Sequence, residues 1–408
     1  MASTTPPILA IHGGSSSIKF ALFEASEVPG RSVGGTVERR GLWQATLEIN
    51  GPHLADHVVR PVKAPDHAAA VNILIDEIQQ RRGDDVLVAV GHRAVQGGPN
   101  YSAPPLITDA LVEDVRRLFS FDPEHPPEEV WLIEAVRRWF HGLPQIACFD
   151  TGFPDDLPRV APRPAIPPRY KKRSVRRYGF HGLSYDVLMG ELADTVGAEA
   201  AQGRINLAHP GNGASLAAVH HGPSIDASMG FTPTCGVLMA TRSGDIDHGS
   251  IGYLAQARKT GARQRNTMTT PPAGLRGVSQ TRADLCDLPA AETGAVRAAK
   301  VIVLFCHRIS QWTGAFAAAL GGLDTVVLAG ATGESAPAIR QRICDGLGFP
   351  GVELDPQRDA HDASLISTAA GRVQTRVIHT DEEIVIAKSA ARLLHLHHGT
   401  PAHEYQHG

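Results

Sequence analysis

The chain has 408 residues and a mass of 43.4 kDa, enough for two or three domains at about 150 residues each. Its 39 Lys and Arg nearly balance 42 Asp and Glu, and a formal net charge of −3 gives no electrostatic footprint for a nucleic acid or an anionic membrane. With 42% hydrophobic and 20% charged residues, and no apolar run near the roughly 18–20 residues a bilayer span needs, disordered, fibrous and helical membrane-spanning classes are excluded.

The first residues, Met1 to Pro7, carry no basic region followed by an apolar stretch and do not read as a secretory signal. Residues 8–23 read as a hairpin: an apolar strand, the turn around Gly14-Ser15-Ser16-Ser17, then a second apolar strand. A helix is predicted over 68–82, a strand over 87–90, helices over 109–119 and 128–140, and a strand over 145–149. The Pro-rich, basic stretch 158–177 has no periodicity and reads as a surface loop joining two halves. A helix over 183–196 precedes a second hairpin at 205–219, whose Asn212-Gly213 pair suits a type I′ turn. A long Ala-rich helix over 290–320 has Pro289 near its start and Gly321-Gly322 at its end. A third apolar strand from Thr325 runs into a glycine-rich turn ending at Ser335, with a helix opening at Ala336-Pro337 and a strand at 376–378. The His-rich tail from 395 reads as a frayed terminus.

Strands alternating with helices make this an α/β protein, and two hairpins about 200 residues apart suggest two domains on one plan. The five cysteines, Cys148, Cys235, Cys286, Cys306 and Cys344, form no CxxC pair. They read as reduced thiols of a cytoplasmic protein, not as a zinc site.

Glycine turns let backbone N–H groups approach an anion, and Ser15, Ser17 and Lys19 add donors and one charge. There is no GxxxxGK[ST] loop, no GxGxxG after a strand and no protein-kinase HRD or DFG set, so those nucleotide binders are excluded. Arg93 and Arg242 each follow apolar residues beside a glycine. Each is either a structural salt bridge or a bidentate contact to carboxylate or phosphoryl oxygens. Asp150 ends the strand at 146–149, where open α/β sheets carry functional groups; its alternative is a cap or turn residue. His181, in Tyr178-Gly179-Phe180-His181-Gly182, sits among glycines instead of on an apolar helix face.

Taken with Gly211-Asn212-Gly213-Ala214-Ser215, residues 228–233 (SMGFTP), residues 241–247 (TRSGDID), Gly333-Glu334 and residues 380–383 (TDEE), these motifs resemble the acetate and propionate kinase family, from Ile8 to about Leu394. That resemblance implies two duplicated actin/hexokinase-like, ribonuclease H-like lobes with a nucleotide cleft between them. The N-terminal lobe would span 1–150 with about 384–408, and the C-terminal, nucleotide-binding lobe 151–383. It implies reversible phosphoryl transfer between ATP and acetate with Mg²⁺, in a cytoplasmic homodimer that meets neither nucleic acid nor membrane.

By resemblance Arg93 holds the substrate carboxylate, with Val95 and Pro233 as walls of the acyl pocket. Asp150 is the catalytic aspartate, and His181 and Arg242 stabilise the transferring phosphoryl. Ser15, Ser17 and Lys19 are first-lobe phosphate contacts; His209, Pro210, Gly211, Asn212 and Gly213 form the second-lobe phosphate hairpin. Ala331, Thr332, Gly333, Glu334 and Ser335 form the adenosine-side turn, and Glu382 is the metal-linked carboxylate. The chain departs from the family pattern at several of these places. His12 stands near the metal where asparagine is usual, which brings Mn²⁺ or Co²⁺ into question beside Mg²⁺. Glu124 replaces a pocket leucine, so propionate is expected to be used nearly as well as acetate. Thr281-Arg282-Ala283 aligns with the nucleotide-contacting Asp-x-Arg, and Ala331-Thr332 and Ser335 replace the usual glycine-isoleucine and asparagine. Competing readings keep the fold with another short carboxylate or a donor such as pyrophosphate, or make the chain a non-catalytic nucleotide binder.

Overall fold

The computed structural model describes residues 6–14, 17–26, 29–39, 45–53, 56–82, 86–118, 126–153, 164–167, 169, 175–257, 273–280 and 296–396. The chain divides into two compact units, Met1–Gly152 with Asp381–Gly408, and Phe153–Thr380.

The first unit is built on strands β1 (Pro7–Gly13), β2 (Ser17–Glu24), β3 (Arg31–Arg39), β4 (Ala45–Asn50), β5 (Val58–Val62), β6 (Ala89–Ala94) and β7 (Gln145–Phe149). They form one sheet in the order β5-β4-β3-β2-β1-β6-β7. β1 to β5 run as an antiparallel meander, and β6 and β7 add in parallel beside β1. Helices α1 (His67–Arg82), α2 (Asp109–Leu118) and α3 (Pro126–Trp139) lie between strands in sequence. The last helix of the chain, Glu382–Leu393, returns to pack on β1 and β6. Its approach is close: a Cβ on Gly91 of β6 would stand 2.2 Å from Ile386 Cγ2, so only glycine fits there.

One core joins the inward residues of β1 to β4, among them Leu9, Ile11, Phe20, Val37 and Leu47, to Leu74 and Ile78 of α1 and Val136 of α3. A second joins Ala147 and Phe149 of β7 to Leu111 and Val115 of α2 and Ile133 of α3. Side chains supply the helix starts. Thr108 Oγ1 accepts from Leu111 N–H at 3.2 Å, and Asp66 Oδ1 from Ala69 N–H at 2.7 Å.

The second unit repeats the plan in fewer strands. β8 (Ile205–His209), β9 (Ser215–Val219), β10 (Ser224–Ala227), β11 (Thr325–Leu328) and β12 (Gln374–Val377) form a sheet in the order β10-β9-β8-β11-β12. An antiparallel three-strand meander is again extended by two parallel strands beside its first strand. Counted within its repeat, the second sheet runs 3-2-1-4-5, and the first runs the same once its two extra meander strands, β4 and β5, are set aside, the duplicated α/β lobe that the resemblance implied. Helices α4 (Gly182–Val196), α5 (His248–Ala257), α6 (Gly274–Ser279), α7 (Val296–Leu320), α8 (Gly330–Ser335), α9 (Pro337–Cys344) and α10 (Pro356–Ala360) complete it, and the Glu382–Leu393 helix is α11. Leu188 and Leu192 of α4 pack on Ile205, Leu207, Ala217 and Val327 of the sheet. The buried Asn206 donates from Nδ2 to Thr313 Oγ1 of α7 at 3.1 Å. Gly321 and Gly322 close α7 at φ 70° and 141°, values only glycine takes without strain.

Three sequence expectations change. Asn212-Gly213 is not a type I′ turn: neither residue has a positive φ, because β8 and β9 close at the His209–Ser215 pair and leave a five-residue loop, 210–214. The glycine-rich segment after β11 is helical, as α8, and breaks at Ala336 before Pro337 opens α9. The strand expected over 87–90 runs over Ala89–Ala94, because pairing with β1 and β7 extends it past Gly91 to carry Arg93. Helix ends otherwise agree within one or two residues. Residues 290–295 of the long Ala-rich helix, Cys286, most of 158–177 and the tail beyond 396 lie outside the described residues. Cys148, Cys306 and Cys344 are buried thiols outside any disulfide and Cys235 a partly buried one; burial pushes the Cys344 thiol up to about 12, too high for a nucleophile at neutral pH.

Candidate active site

In the first unit, four groups from distant parts of the chain meet near the C-terminal ends of the parallel strands. Arg93 projects from β6, Asp150 follows β7 in a single 3-10 turn, His12 is the penultimate residue of β1 and Glu382 opens α11. Parallel register sets the first two side by side, because Arg93 pairs with Cys148 and Ala94 with Phe149. Arg93 grips Asp150 with two nitrogens, Nε to Oδ1 at 3.0 Å and Nη2 to Oδ2 at 2.5 Å. Glu382 Oε2 lies 3.1 Å from His12 Nδ1 and 3.7 Å from Arg93 Nε. Among the described residues no group bonds Arg93 Nη1, so one edge of the fork is open to a planar carboxylate.

The Asp150 side chain is 1% exposed. Burial lifts its carboxyl above the ordinary range, against the pull of Arg93, and Glu382 adds to the rise. Burial works against the charge on Arg93, yet Asp150 and Glu382 outweigh it and hold the guanidinium above its ordinary value.

Beside Arg93 the chain is stapled by buried groups. Glu129 Oε1, in the first turn of α3, accepts from Val95 N–H at 2.9 Å, and Thr151 Oγ1 accepts from Gly97 N–H at 3.0 Å. Across the β1–β2 hairpin His12 pairs with the exposed Lys19, and Gly14 N–H donates to Ser17 C=O at 2.8 Å to close the turn. Ser15 lies outside the described residues, as do Glu124, Thr281, Arg282 and Ala283.

On the other side of Arg93, His92 is buried, with Nε2 2.8 Å from Gln145 Oε1. Burial lowers its pKa from 6.5 to about 4, with Arg137 acting in the same direction. The unfolded chain therefore binds the extra proton first as pH falls. His92 contributes stability that is full above pH 6.5 and is lost on acidification toward about 4. His92→Gln should flatten the fall of Tm with pH across that window, and an unchanged acid limb would overturn the assignment.

The second unit gathers the glycine segments. His209 ends β8, and the 210–214 loop that follows is tied to α8 because Pro210 C=O accepts from Thr332 N–H at 3.1 Å and Gly333 N–H at 3.2 Å. Gly330 takes φ 67°, and a Cβ there would meet His209 Cδ2 at 2.8 Å, so both backbone and space demand glycine. His181, immediately before α4, stacks on His209 with ring centroids 4.6 Å apart and 24° between planes. A Cβ on Gly213 would stand 3.3 Å from His181 Nε2, so that edge of the imidazole faces the loop backbone.

Arg242 lies in a turn closed by Met239 N–H to Arg242 C=O at 3.0 Å, and Asn212 C=O accepts from Ala240 N–H at 3.0 Å. Gly274, at φ 69°, lets α6 approach this turn; a Cβ there would collide with Met239 O at 2.3 Å. Arg242 Nη1 donates to Pro233 C=O at 3.1 Å. In α8 the polar side chains of Glu334 and Ser335 bond the unit's own chain. Ser335 Oγ donates to Ala331 C=O at 2.6 Å. Glu334 accepts from Thr380 N–H and Oγ1, each at 3.1 Å, and lies 2.8 Å from His379 Nδ1. What α8 offers a ligand is therefore mainly backbone.

The Acetokinase family model matches residues 7–388. The chain belongs to the acetokinase family. An acetate kinase of Rhodopseudomonas palustris is 38% identical over 391 residues, covering 95% of this chain and 98% of that protein. An acetate kinase of Chromobacterium violaceum is 36% identical over 393 residues, covering 95% and 98%. Among solved structures, a Porphyromonas gingivalis acetate kinase matches at TM-score 0.83 and 32% identity, over 95% of this chain and all of the other. A Francisella tularensis propionate kinase matches at TM-score 0.87 and 29% identity, over 95% and 99%.

Arg340 braces the end of α8, and sequence reasoning missed it. It is fully buried; its Nη1 donates to Gly333 C=O at 3.1 Å and Glu334 C=O at 2.9 Å, while Asp359 and Asp362 hold the rest of the fork. In the sequence it is one arginine of an ordinary helix, Pro-Ala-Ile-Arg-Gln-Arg, with no signal of burial. Glu129 went unnoticed for the same reason.

Proposed function

We infer that the chain is an acetate kinase, a phosphotransferase with a carboxyl group as acceptor, which interconverts acetate and ATP with acetyl phosphate and ADP. The observation that carries this reading is Arg93, a buried guanidinium with one nitrogen open, flanked by Asp150 and Glu382 at the strand ends of a family member. Arg93 orients the acetate carboxylate, with Val95 and Pro233 as apolar walls of the acyl site. The carboxylate is ionised at neutral pH, since such groups titrate near ~4. No strong base is needed, and Asp150 serves to lock Arg93 in place. A carboxylate oxygen attacks the γ-phosphorus in line, the new P–O bond forms as the β–γ bridging bond breaks, and ADP leaves. His181 and Arg242 donate to the equatorial oxygens as charge builds there. The 209–213 segment, Ser15, Ser17 and Lys19 hold phosphate oxygens. Ala331 to Ser335, with Thr281 to Ala283, serve the nucleoside end.

Among the described residues no group of three or more His, Cys, Asp or Glu could hold a metal ion by itself. That suits Mg²⁺, which takes one or two carboxylates and completes its shell with water and substrate phosphates. Glu382 would hold it, with Asp150 behind, and bound Mg²⁺ would neutralise part of the phosphate charge. His12 touches Glu382 and so sits where it can alter the choice of metal. Imidazole suits Mn²⁺ and Co²⁺ better than Mg²⁺. His12→Asn should shift relative activity from Mn²⁺ or Co²⁺ toward Mg²⁺, and identical metal rankings for the two proteins would reject the idea.

A homodimer in the cytoplasm completes the reading, resting on the family resemblance. No helix among the described residues is long and apolar enough to cross a membrane. The test is acyl phosphate trapped as hydroxamate, measured for acetate and propionate with ATP and with pyrophosphate. Acetate with ATP should give the highest kcat/KM, and no product from any pair would overturn the assignment. The Francisella neighbour, a propionate kinase, makes propionate the second acid to try.

A further inference from the structure

We propose that Tyr185, acting through Ser215, is a positioning residue that sets the tautomer of His181, so that Nε2 carries the proton and donates toward the 210–214 loop. The inference rests on the reading of His181 as a donor to the transferring phosphoryl, and adds what keeps it a donor when the ring is neutral.

The geometry begins with backbone strain. His181 is a non-glycine residue at φ 58° and ψ 29°, in the left-handed region, directly before α4. Such a conformation persists only where surrounding structure enforces it, and it often marks a functional group being aimed. The ring it aims has Nδ1 2.8 Å from Ser215 Oγ, and Ser215 Oγ is in turn hydrogen-bonded to Tyr185 Oη. Both partners are anchored in regular structure. Tyr185 lies one turn along α4, its N–H donating to His181 C=O at 3.0 Å, and Ser215 opens β9 opposite His209. Tyr185 and Ser215 are each 2% exposed, which leaves water little access to compete for the chain of three atoms. On the far side of the ring, Nε2 faces the backbone of Gly213.

Across these two hydrogen bonds the protons can run in two orders. In one, Tyr185 O–H donates to Ser215, Ser215 O–H donates to Nδ1, and the ring proton resides on Nε2. In the other, Nδ1–H donates to Ser215, Ser215 donates to Tyr185, and neutral Nε2 is an acceptor, useless to an anionic phosphoryl. Acidity selects the first. A phenol ionises near ~10, far more readily than an aliphatic hydroxyl, so its proton is the one given away, and imidazole nitrogen is the most basic acceptor of the three. The order phenol, hydroxyl, imidazole thus runs from strongest donor to strongest acceptor. It makes Nε2–H available without requiring an imidazolium. This is the arrangement by which a hydrogen bond at one ring nitrogen decides the role of the other.

The experiment uses the full chain labelled with [15N]histidine. Long-range proton–nitrogen spectra are recorded at about pH 8.5, above the ordinary histidine range. The His181 signals are assigned by their loss in His181→Asn. The wild type should show the Nε2–H tautomer. Tyr185→Phe, which keeps the ring in the core, should populate the Nδ1–H form and lower kcat about three- to tenfold, with KM for acetate and ATP within about twofold. Ser215→Ala should do the same at about tenfold or more, and Ser215→Thr, which keeps the hydroxyl, should restore both readouts. A wild-type Nδ1–H tautomer, an unchanged tautomer in Tyr185→Phe, a loss confined to KM, or a tautomer shift without loss of kcat would each overturn the proposal. Absence of acyl phosphate from the wild type would overturn the functional reading instead, and the spectra would still decide the relay.

Discussion

Arg242→Ala should lower kcat on the order of 10²–10³-fold while changing KM for acetate and ATP far less. The reason is that the Arg242 turn is held from several sides independently of its side chain. Met239 closes it, Asn212 C=O binds it to the 210–214 loop, and α6 packs beneath it through Gly274. Truncation therefore removes a guanidinium without collapsing the loop, and on the proposed role what is lost is charge aimed at the transferring phosphoryl. That charge matters when the equatorial oxygens gain negative character, so the deficit falls on kcat. Arg242→Lys should recover only part of it. An ammonium cannot both donate to Pro233 C=O, as Nη1 does at 3.1 Å, and present a second donor in a fixed plane. His181→Ala should show the same kcat-weighted loss. Near-native turnover in Arg242→Ala, measured by hydroxamate trapping, would sink the role assigned to it.

The parts of the fold that could be read from sequence are those where burial writes itself into residue type. β1 and β7 are apolar along most of their length, His12 near the end of β1 and Gln145 at the start of β7 excepted, because the strands are largely buried, and β7 is located to the residue, at 145–149. The meander β3 to β5 went unpredicted. β3 carries Gly34, Gly35 and Thr36 between Val33 and Val37, and β5 contains Pro61 and is mostly exposed, as an edge strand is. The 210–214 loop misled because Asn-Gly signals a tight turn only when the strands close around two residues, and here they close around five. Of the site, His12, Arg93, Asp150 and Glu382 were nominated by motif, and strand register with the return of α11 explains why they stand together. Ser215 reaches His181 and Glu129 reaches Val95 across 34 residues each, and Tyr185 reaches Ser215 across 30, which leaves no local spacing to read; Arg340 stands 7 residues from Gly333, but nothing in its helix signals burial.

Removing Arg93 should cost both function and stability, and the two losses should respond differently to pH. Arg93→Ala deletes the open Nη1 edge and should reduce kcat/KM for acetate on the order of 10²–10³-fold, with KM for acetate raised. It also strands Asp150, 1% exposed in its side chain, without its cation, while Glu382 remains near. Breaking a buried pair by removing one partner costs about 3–5 kcal/mol, because the remaining charge is left desolvated. Burial already holds the Asp150 carboxyl above its ordinary range, and loss of Arg93 removes the main opposing pull, so in the variant it rises further. A folded-state pKa above the unfolded one gives stability that is full below the unfolded value and is lost as pH rises through the folded value. The Arg93→Ala penalty should therefore grow as pH rises through the wild-type Asp150 pKa, itself above the ordinary carboxyl value, and shrink on acidification, opposite in sign to the contribution of His92. Adding Asp150→Asn to Arg93→Ala should recover much of the stability and none of the activity. Measurement of Tm against pH for the single and double variants decides the point. A penalty independent of pH, or a double variant no more stable than Arg93→Ala, would show that Asp150 is not the group left uncompensated.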